Sequence, residues 1–163
     1  MKEKYFYTYL NSPVGILKLR SNDAELISIS FSDTSGENSS QLPDILIQAV
    51  QQLNEYFEGT RKAFSLNLAP AGTTFQKKVW KIVKKVPFGQ TATYLEIARQ
   101  SGSINNTRAV GLANSKNPIP IVIPCHRIIG TNGKLTGYAG GIERKQWLLQ
   151  HEINNIIAND RLF

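Results

Sequence analysis

The chain has 163 residues, 41% hydrophobic and 19% charged, the balance of a globular protein with one ordinary domain or two small ones. No apolar run approaches the ~20 residues of a membrane-spanning helix, and the segment MKEKYFYTYL lacks the uninterrupted apolar core and cleavage site of a secretory signal, so an intracellular protein is expected. The net charge of +7 and pI near 9.6 suit a polyanionic partner, nucleic acid first, or a basic solvated surface with no particular partner; charge alone does not separate the two.

The first third reads as strands. KYFYTYL (residues 4–10) is dense in aromatic and β-branched residues, and SPVG (residues 12–15) is a turn signal. ILKLRS (16–21) and LISISFS (26–32) alternate apolar and polar positions, the period of a half-buried strand. After the polar loop SDTSGENSS, a helix is expected from Pro43 to about Glu58, stopped by Gly59. Leu46, Ala49, Val50, Leu53, Tyr56 and Phe57 would cover one side of the sheet. FSLNLA (64–69) reads as a possible further strand, and APAGT (69–73) as a domain boundary.

Beyond it the composition turns basic and helical. Thr74 is placed to cap a helix whose apolar residues Phe75, Val79, Ile82, Val83 and Val86 share one side, with Trp80 flanking it. Lys77, Lys78, Lys81, Lys84 and Lys85 fall mainly outside that side, and PFGQ breaks the helix. TYLEIARQSG opens on a capping box of Thr93 and Glu96 and closes at Gly102. After SINN, a helix is expected from Thr107 to Ser115 with Asn106 as its cap. Two short helices around a tight polar turn make a helix-turn-helix signature. Gly111 inside the second one costs ~1 kcal/mol relative to alanine. Close helix packing, or close approach to a nucleic-acid groove with Arg108 reaching inward, would each explain it. A glycine-rich loop (130–141) precedes a last helix, Glu143 to about Ile153, with Trp147, Leu148 and Ile153 packed inward.

Cys125 is the single cysteine. It cannot form an internal disulfide and has no resolving thiol. With only His126 and His151 as possible nitrogen ligands, a closed zinc site is not expected. A lone buried cysteine is usually a small hydrophobe. Three features point the other way: Pro118, Pro120 and Pro124 stiffen the approach, His126 is adjacent, and a glycine-rich loop follows. A thiol becomes a nucleophile when a base takes its proton. On a regular strand His126 would point away from Cys125; a turn or a bridging water would close the gap. His126 would need an acid to hold its tautomer, and Glu152 is the candidate.

NPIPIVIPCHRIIG (117–130) closely resembles the active-site signature of the O6-alkylguanine-DNA alkyltransferases, also called methylated-DNA–protein-cysteine methyltransferases. TATYLEIARQSG, TRAVGLANSKNP, GYAGG and RKQWLLQHE are similar to further family segments, in the family's order, over roughly ninety residues. The resemblance implies an α+β fold: a small α/β domain (1–70) with an antiparallel, ribonuclease H-like sheet, then a mostly helical, winged-helix-like domain (71–163) carrying the helix-turn-helix. It implies stoichiometric transfer of an alkyl group from O6-alkylguanine in double-stranded DNA to Cys125, with no cofactor. It also implies a monomer that works through the minor groove by flipping the base out. His126 would be the base, acting through water, and Glu152 would orient it; Tyr94 would donate to the flipped guanine. Asn117 would hold the turn leading to the cysteine strand. Arg108 would fill the vacated stack. Pro120, Tyr138, Ala139 and Gly140 would line the pocket, and carbonyls of Cys125 and Ile128 would accept from the exocyclic amine. DNA contacts would come from Thr93, Tyr94, Thr107, Arg108, Ala109, Gly111, Asn114 and Arg127. Some relatives carry serine where Ala139 stands, and the zinc-binding cysteines of others are absent. A cysteine hydrolase and a non-catalytic alkylated-DNA-binding module are the rival readings; the latter group replaces the reactive cysteine.

Overall fold

The computed structural model describes residues 4–160; the ends of the two expected domains, 1–3 and 161–163, lie outside the described residues. The chain divides into two compact units between Ala71 and Gly72.

In the first unit, strands β1 (Phe6–Ser12), β2 (Gly15–Ser21) and β3 (Leu26–Ser32) form an antiparallel sheet in chain order. The turn after β1 is closed by Ser12, whose Oγ donates to the Gly15 carbonyl at 2.7 Å. Leu10 faces Leu17, and Leu19 faces Ile29, so alternation gathers the apolar side chains on one face. Helix α1 (Asp44–Glu58) covers that face with Ile45, Leu46, Ala49, Leu53 and Tyr56, all buried. Pro43 lies just outside the helix, and Gly59 ends it in the left-handed region, where glycine has no Cβ penalty. Val50 and Phe57 are only half-buried.

FSLNLA does not form a strand. A single parallel bridge, Leu26 to Leu68, ties it to the sheet. The buried Gln52 takes the place of a neighbouring strand: its amide donates to the Ser65 carbonyl and accepts from the Ser65 amide.

In the second unit, α2 (Thr74–Val83) is capped by Thr73 rather than Thr74. Thr73 accepts from the Gln76 amide while the Gln76 side chain accepts from the Thr73 amide. The helix stops at Val83, short of Val86, and tightens into a turn in which the Lys85 and Val86 amides donate to the Ile82 and Val83 carbonyls, ahead of Pro87, which cannot continue a helix. Trp80 does not merely flank the apolar side. It is 2% exposed, and its indole donates to the Ala113 carbonyl at 2.8 Å, pinning α2 to helix α4 (Thr107–Ser115).

Strand β4 (Ala92–Thr93) leads into helix α3 (Tyr94–Gln100), whose Thr93–Glu96 capping box forms as expected. SINN includes a 3-10 turn over Ile104–Asn106. Asn106 makes no capping bond to α4; its amide is used by Ser101 instead. Strand β5 (Ile128–Ile129) pairs parallel with β4. That two-residue pairing sets the start of α3 beside the segment leaving Cys125. Helix α5 (Ile142–Asp160) is longer than expected. Its buried residues include Lys145, Leu148 and Glu152, while Ile153 is 43% exposed and Trp147 half-buried. No helix of the described residues is long and apolar enough to cross a membrane.

Candidate active site

The segment between α4 and the cysteine is a folded loop. Asn117 staples it: its amide donates to the Ile123 carbonyl at 2.7 Å and its carbonyl accepts from the Ile119 amide at 2.9 Å. Ile121 is driven to φ 74, a strained value for a β-branched residue that persists only where the surroundings over-determine it. Pro120 is buried, bridged to Ile123. Cys125–Arg127 then forms a 3-10 turn, so the expected cysteine strand is absent here. The turn removes the opposition of faces that a strand would impose on Cys125 and His126.

His126 is fully buried, and its Nε2 meets Glu152 Oε2 at 2.6 Å. Burial penalises the imidazolium most and drives the His126 pKa down, although Glu152 pulls the other way. The ring is therefore neutral, with Nε2–H donating to the carboxylate and Nδ1 left as the acceptor. Nδ1 has no protein hydrogen-bond partner.

Glu152 is held from several sides. Besides His126 it accepts from the Gly89 amide (3.0 Å), Arg127 Nε (2.8 Å) and Arg127 Nη2 (3.1 Å). Burial opposes ionisation, but these bonds and the Arg127 charge outweigh it and hold the carboxyl well below the usual range. Arg127 is 5% exposed, and its Nη1 donates to the Val86 carbonyl. Arg127, expected at the DNA, has its guanidinium turned inside against Glu152 and the Val86 carbonyl. Asn114, expected at the DNA, is also buried, and its amide donates to the Cys125 carbonyl at 3.2 Å.

Cys125 is 4% exposed. Burial pushes its thiol up to about 11, against bonding from Asn117 and the charge of Lys145. Lys145 escaped the sequence reading. Fully buried on α5, its Nζ donates to the carbonyls of Ile128 and Thr136 (2.9 Å for Thr136) and lies 3.5 Å from the Tyr94 hydroxyl. Burial lowers its pKa to about 8. Tyr94 in turn donates to the Thr136 carbonyl at 2.7 Å, and burial chiefly raises its pKa. Tyr138 is buried, and desolvation followed by the Cys125 charge raises its pKa as well. Ala139 is exposed and Gly140 half-buried. The Cys125 carbonyl accepts from both the Asn114 side-chain amide and the Ile128 backbone amide, and the Ile128 carbonyl accepts from Lys145.

On α4, Arg108 and Ala109 are exposed. Nothing lies within 4 Å of where a Gly111 Cβ would stand, which removes close helix packing as the reason for that glycine. Leu112, 58% exposed, shares this outer side and was also missed. Thr107 and Thr93 are half-buried; Thr107 donates to the Ile104 carbonyl and Thr93 serves the α3 cap. Among the described residues, no group of three metal-ligating side chains comes together.

A helix-turn-helix unit tied to a turn that carries a lone thiol and a buried histidine–carboxylate pair defines a class: a helix-turn-helix DNA-binding fold with a single cysteine next to it. Two family models match, the 6-O-methylguanine DNA methyltransferase ribonuclease-like domain over residues 5–70 and its DNA binding domain over residues 74–154. The chain belongs to the 6-O-methylguanine DNA methyltransferase family. It is 44% identical over 154 residues to a methylated-DNA–protein-cysteine methyltransferase of Methanosarcina acetivorans, covering 90% of this chain and 97% of that one. A Mycolicibacterium paratuberculosis protein of the same name is 44% identical over 161 residues, with 96% and 98% covered. The crystal structure of Mycobacterium tuberculosis O6-methylguanine methyltransferase superposes with a TM-score of 0.84 at 42% identity, covering 93% and 94%. That of Mycobacterium tuberculosis OGT in complex with DNA gives 0.83 at 43%, covering 91% and 93%.

Proposed function

We propose that this protein repairs DNA by direct reversal, as a methylated-DNA–protein-cysteine methyltransferase that moves an alkyl group from guanine O6 onto its own Cys125. The observation that carries this reading is His126, neutral and tethered to Glu152 through Nε2 while Nδ1 stays open. That arrangement is a base waiting for a proton. The nearest thiol in sequence needs one removed.

The Cys125 S–H proton passes through water to His126 Nδ1 as sulfur attacks the alkyl carbon in line. The S–C bond forms, the C–O6 bond breaks, and its electron pair stays on the guanine. Tyr94 supplies a proton to the leaving base, and Lys145 beside its hydroxyl stabilises the phenolate left behind. Glu152 carries a compensating charge for the imidazolium. The product thioether has no route back to a thiol in this chain, so each molecule reacts once.

The target atom is out of reach in a stacked duplex, so the base must be everted at a cost of a few kcal/mol. Arg108 on the exposed side of α4 fills the gap, and the slim surface at Ala109 and Gly111 admits the minor groove. Within this reading the second unit carries both DNA binding and chemistry. The protein acts as a monomer inside the cell, where duplex DNA is found.

Incubation with duplex DNA containing O6-methylguanine is expected to raise the mass of the Cys125 peptide by one methylene unit. Cys125→Ser should abolish transfer and leave DNA affinity nearly unchanged. An unmodified peptide with normal DNA binding would favour the binding-module reading instead.

A further inference from the structure

Five exposed lysines stand together, Lys77, Lys78 and Lys81 on helix α2 and Lys84 and Lys85 just beyond its end. Among the described residues none of them has an ion-pair partner, and no acidic residue occurs between Glu58 and Glu96. Lys77 and Lys81, at i, i+4 spacing, repel one another and destabilise an isolated helix. The helix holds because Val79, Trp80 and Val83 are buried on its other side, with Trp80 bonded to α4. Lys77, Lys78 and Lys81 line, with Thr74, Ile82 and Gln100, a groove of about 460 Å³. Gln100 is the last residue of α3, and Tyr94 is its first. Seven residues of helix span ~10 Å, so the groove opens about that far along α3 from the active-site end.

We infer that the lysine side of α2 grips the phosphate backbone of the same duplex, on one flank of the lesion, outside the contacts of α4. The occupant follows from charge and position: a row of unpaired cations lies within the segment matched to the DNA binding domain, beside the helix that faces DNA. The inference rests on the DNA-binding reading but needs no assumption about the chemistry at Cys125. Such contacts would let the protein hold and scan undamaged DNA, since phosphate binding carries no sequence information.

The test compares wild type, the Lys77→Gln/Lys78→Gln/Lys81→Gln variant and the matching triple Arg variant by fluorescence anisotropy on lesion-free duplexes. On a duplex of about 30 base pairs, the log–log dependence of affinity on salt should flatten by about 2 to 3 in the Gln variant, about 0.9 per lost phosphate, and stay unchanged in the Arg variant. An unchanged slope would overturn the inference. So would an unchanged DNA slope accompanied by loss of binding to polyglutamate or anionic vesicles. If the triple Gln variant fails to fold, Lys78→Gln alone should lower the slope by about 0.9, and no change there is equally decisive. Methyl transfer by wild type, measured separately by mass, reports on the repair reading whichever way the slopes fall.

Discussion

A thiol with a pKa of about 11 is only ~10⁻⁴ ionised at neutral pH, so a standing thiolate does not explain its reactivity. A positioned general base contributes ~10²- to 10⁴-fold, about the size of that deficit, and His126 is the base available. The expected pH profile follows. His126 has a depressed pKa and stays neutral above about pH 6.5, so wild-type transfer should be flat from there to about pH 7.5 and decline as Lys145 loses its proton near pH 8. His126→Gln should be ~10²-fold slower or worse, and its rate should climb about tenfold per pH unit as the thiol ionises unaided. Quench-flow rates on damaged duplex would show this; a flat profile in the variant would remove His126 from the base role. Glu152→Gln keeps the shape but loses the charge that fixes the ring, and should cost ~10²- to 10⁴-fold. Lys145→Met would leave Tyr94 without its cation, and a loss of ~10-fold with a further rise of the thiol pKa is expected.

Elements matter where backbone and groove meet. Gly111→Ala separates two effects of opposite sign. With open space around the missing Cβ, the added methyl should stabilise α4 by ~1 kcal/mol. If α4 lies against DNA, the same methyl should weaken duplex binding several-fold. Thermal melts and anisotropy on one sample would check both; tighter binding would take Gly111 out of the interface. Gly89 behaves differently. Its φ is +77, a Cβ there would meet Ile156 Cδ1 at 1.8 Å, and its amide feeds Glu152. Gly89→Ala should therefore cost ~2 kcal/mol or more and lower transfer as well.

The whole molecule registers the buried network in its acid stability. Glu152 has a folded pKa below its unfolded value, so its contribution is complete above about pH 4.5 and is lost as pH falls through that range. His126 also has a folded pKa below its unfolded value, because burial rejects the cation. Below about pH 6.5 the unfolded chain binds a proton that the folded chain refuses, and stability falls by up to about 1.4 kcal/mol per pH unit. Thermal midpoints should decline from pH 7 to pH 5 in wild type, and this decline should be shallower in His126→Gln. Parallel curves would mean that another group controls it.

Short-range signals determined what the sequence shows by itself. Alternation located β2 and β3, capping chemistry located α3, and α4 spans the expected Thr107–Ser115. The PCHR segment and its companions pointed to Cys125, His126 and Glu152 through family likeness rather than spacing alone. Tertiary structure decided the rest, for one physical reason: hydropathy patterns treat a charge as a mark of the solvent side. Lys145 and Glu152 sit on the buried stripe of α5 with Leu148, and Arg127 turns inward to neutralise Glu152. Each is tolerated there only because partners distant in sequence, Ile128 and Thr136 for the lysine and Gly89 and Arg127 for the carboxylate, satisfy it after folding. The same holds for Ile121, whose strained backbone no propensity would choose.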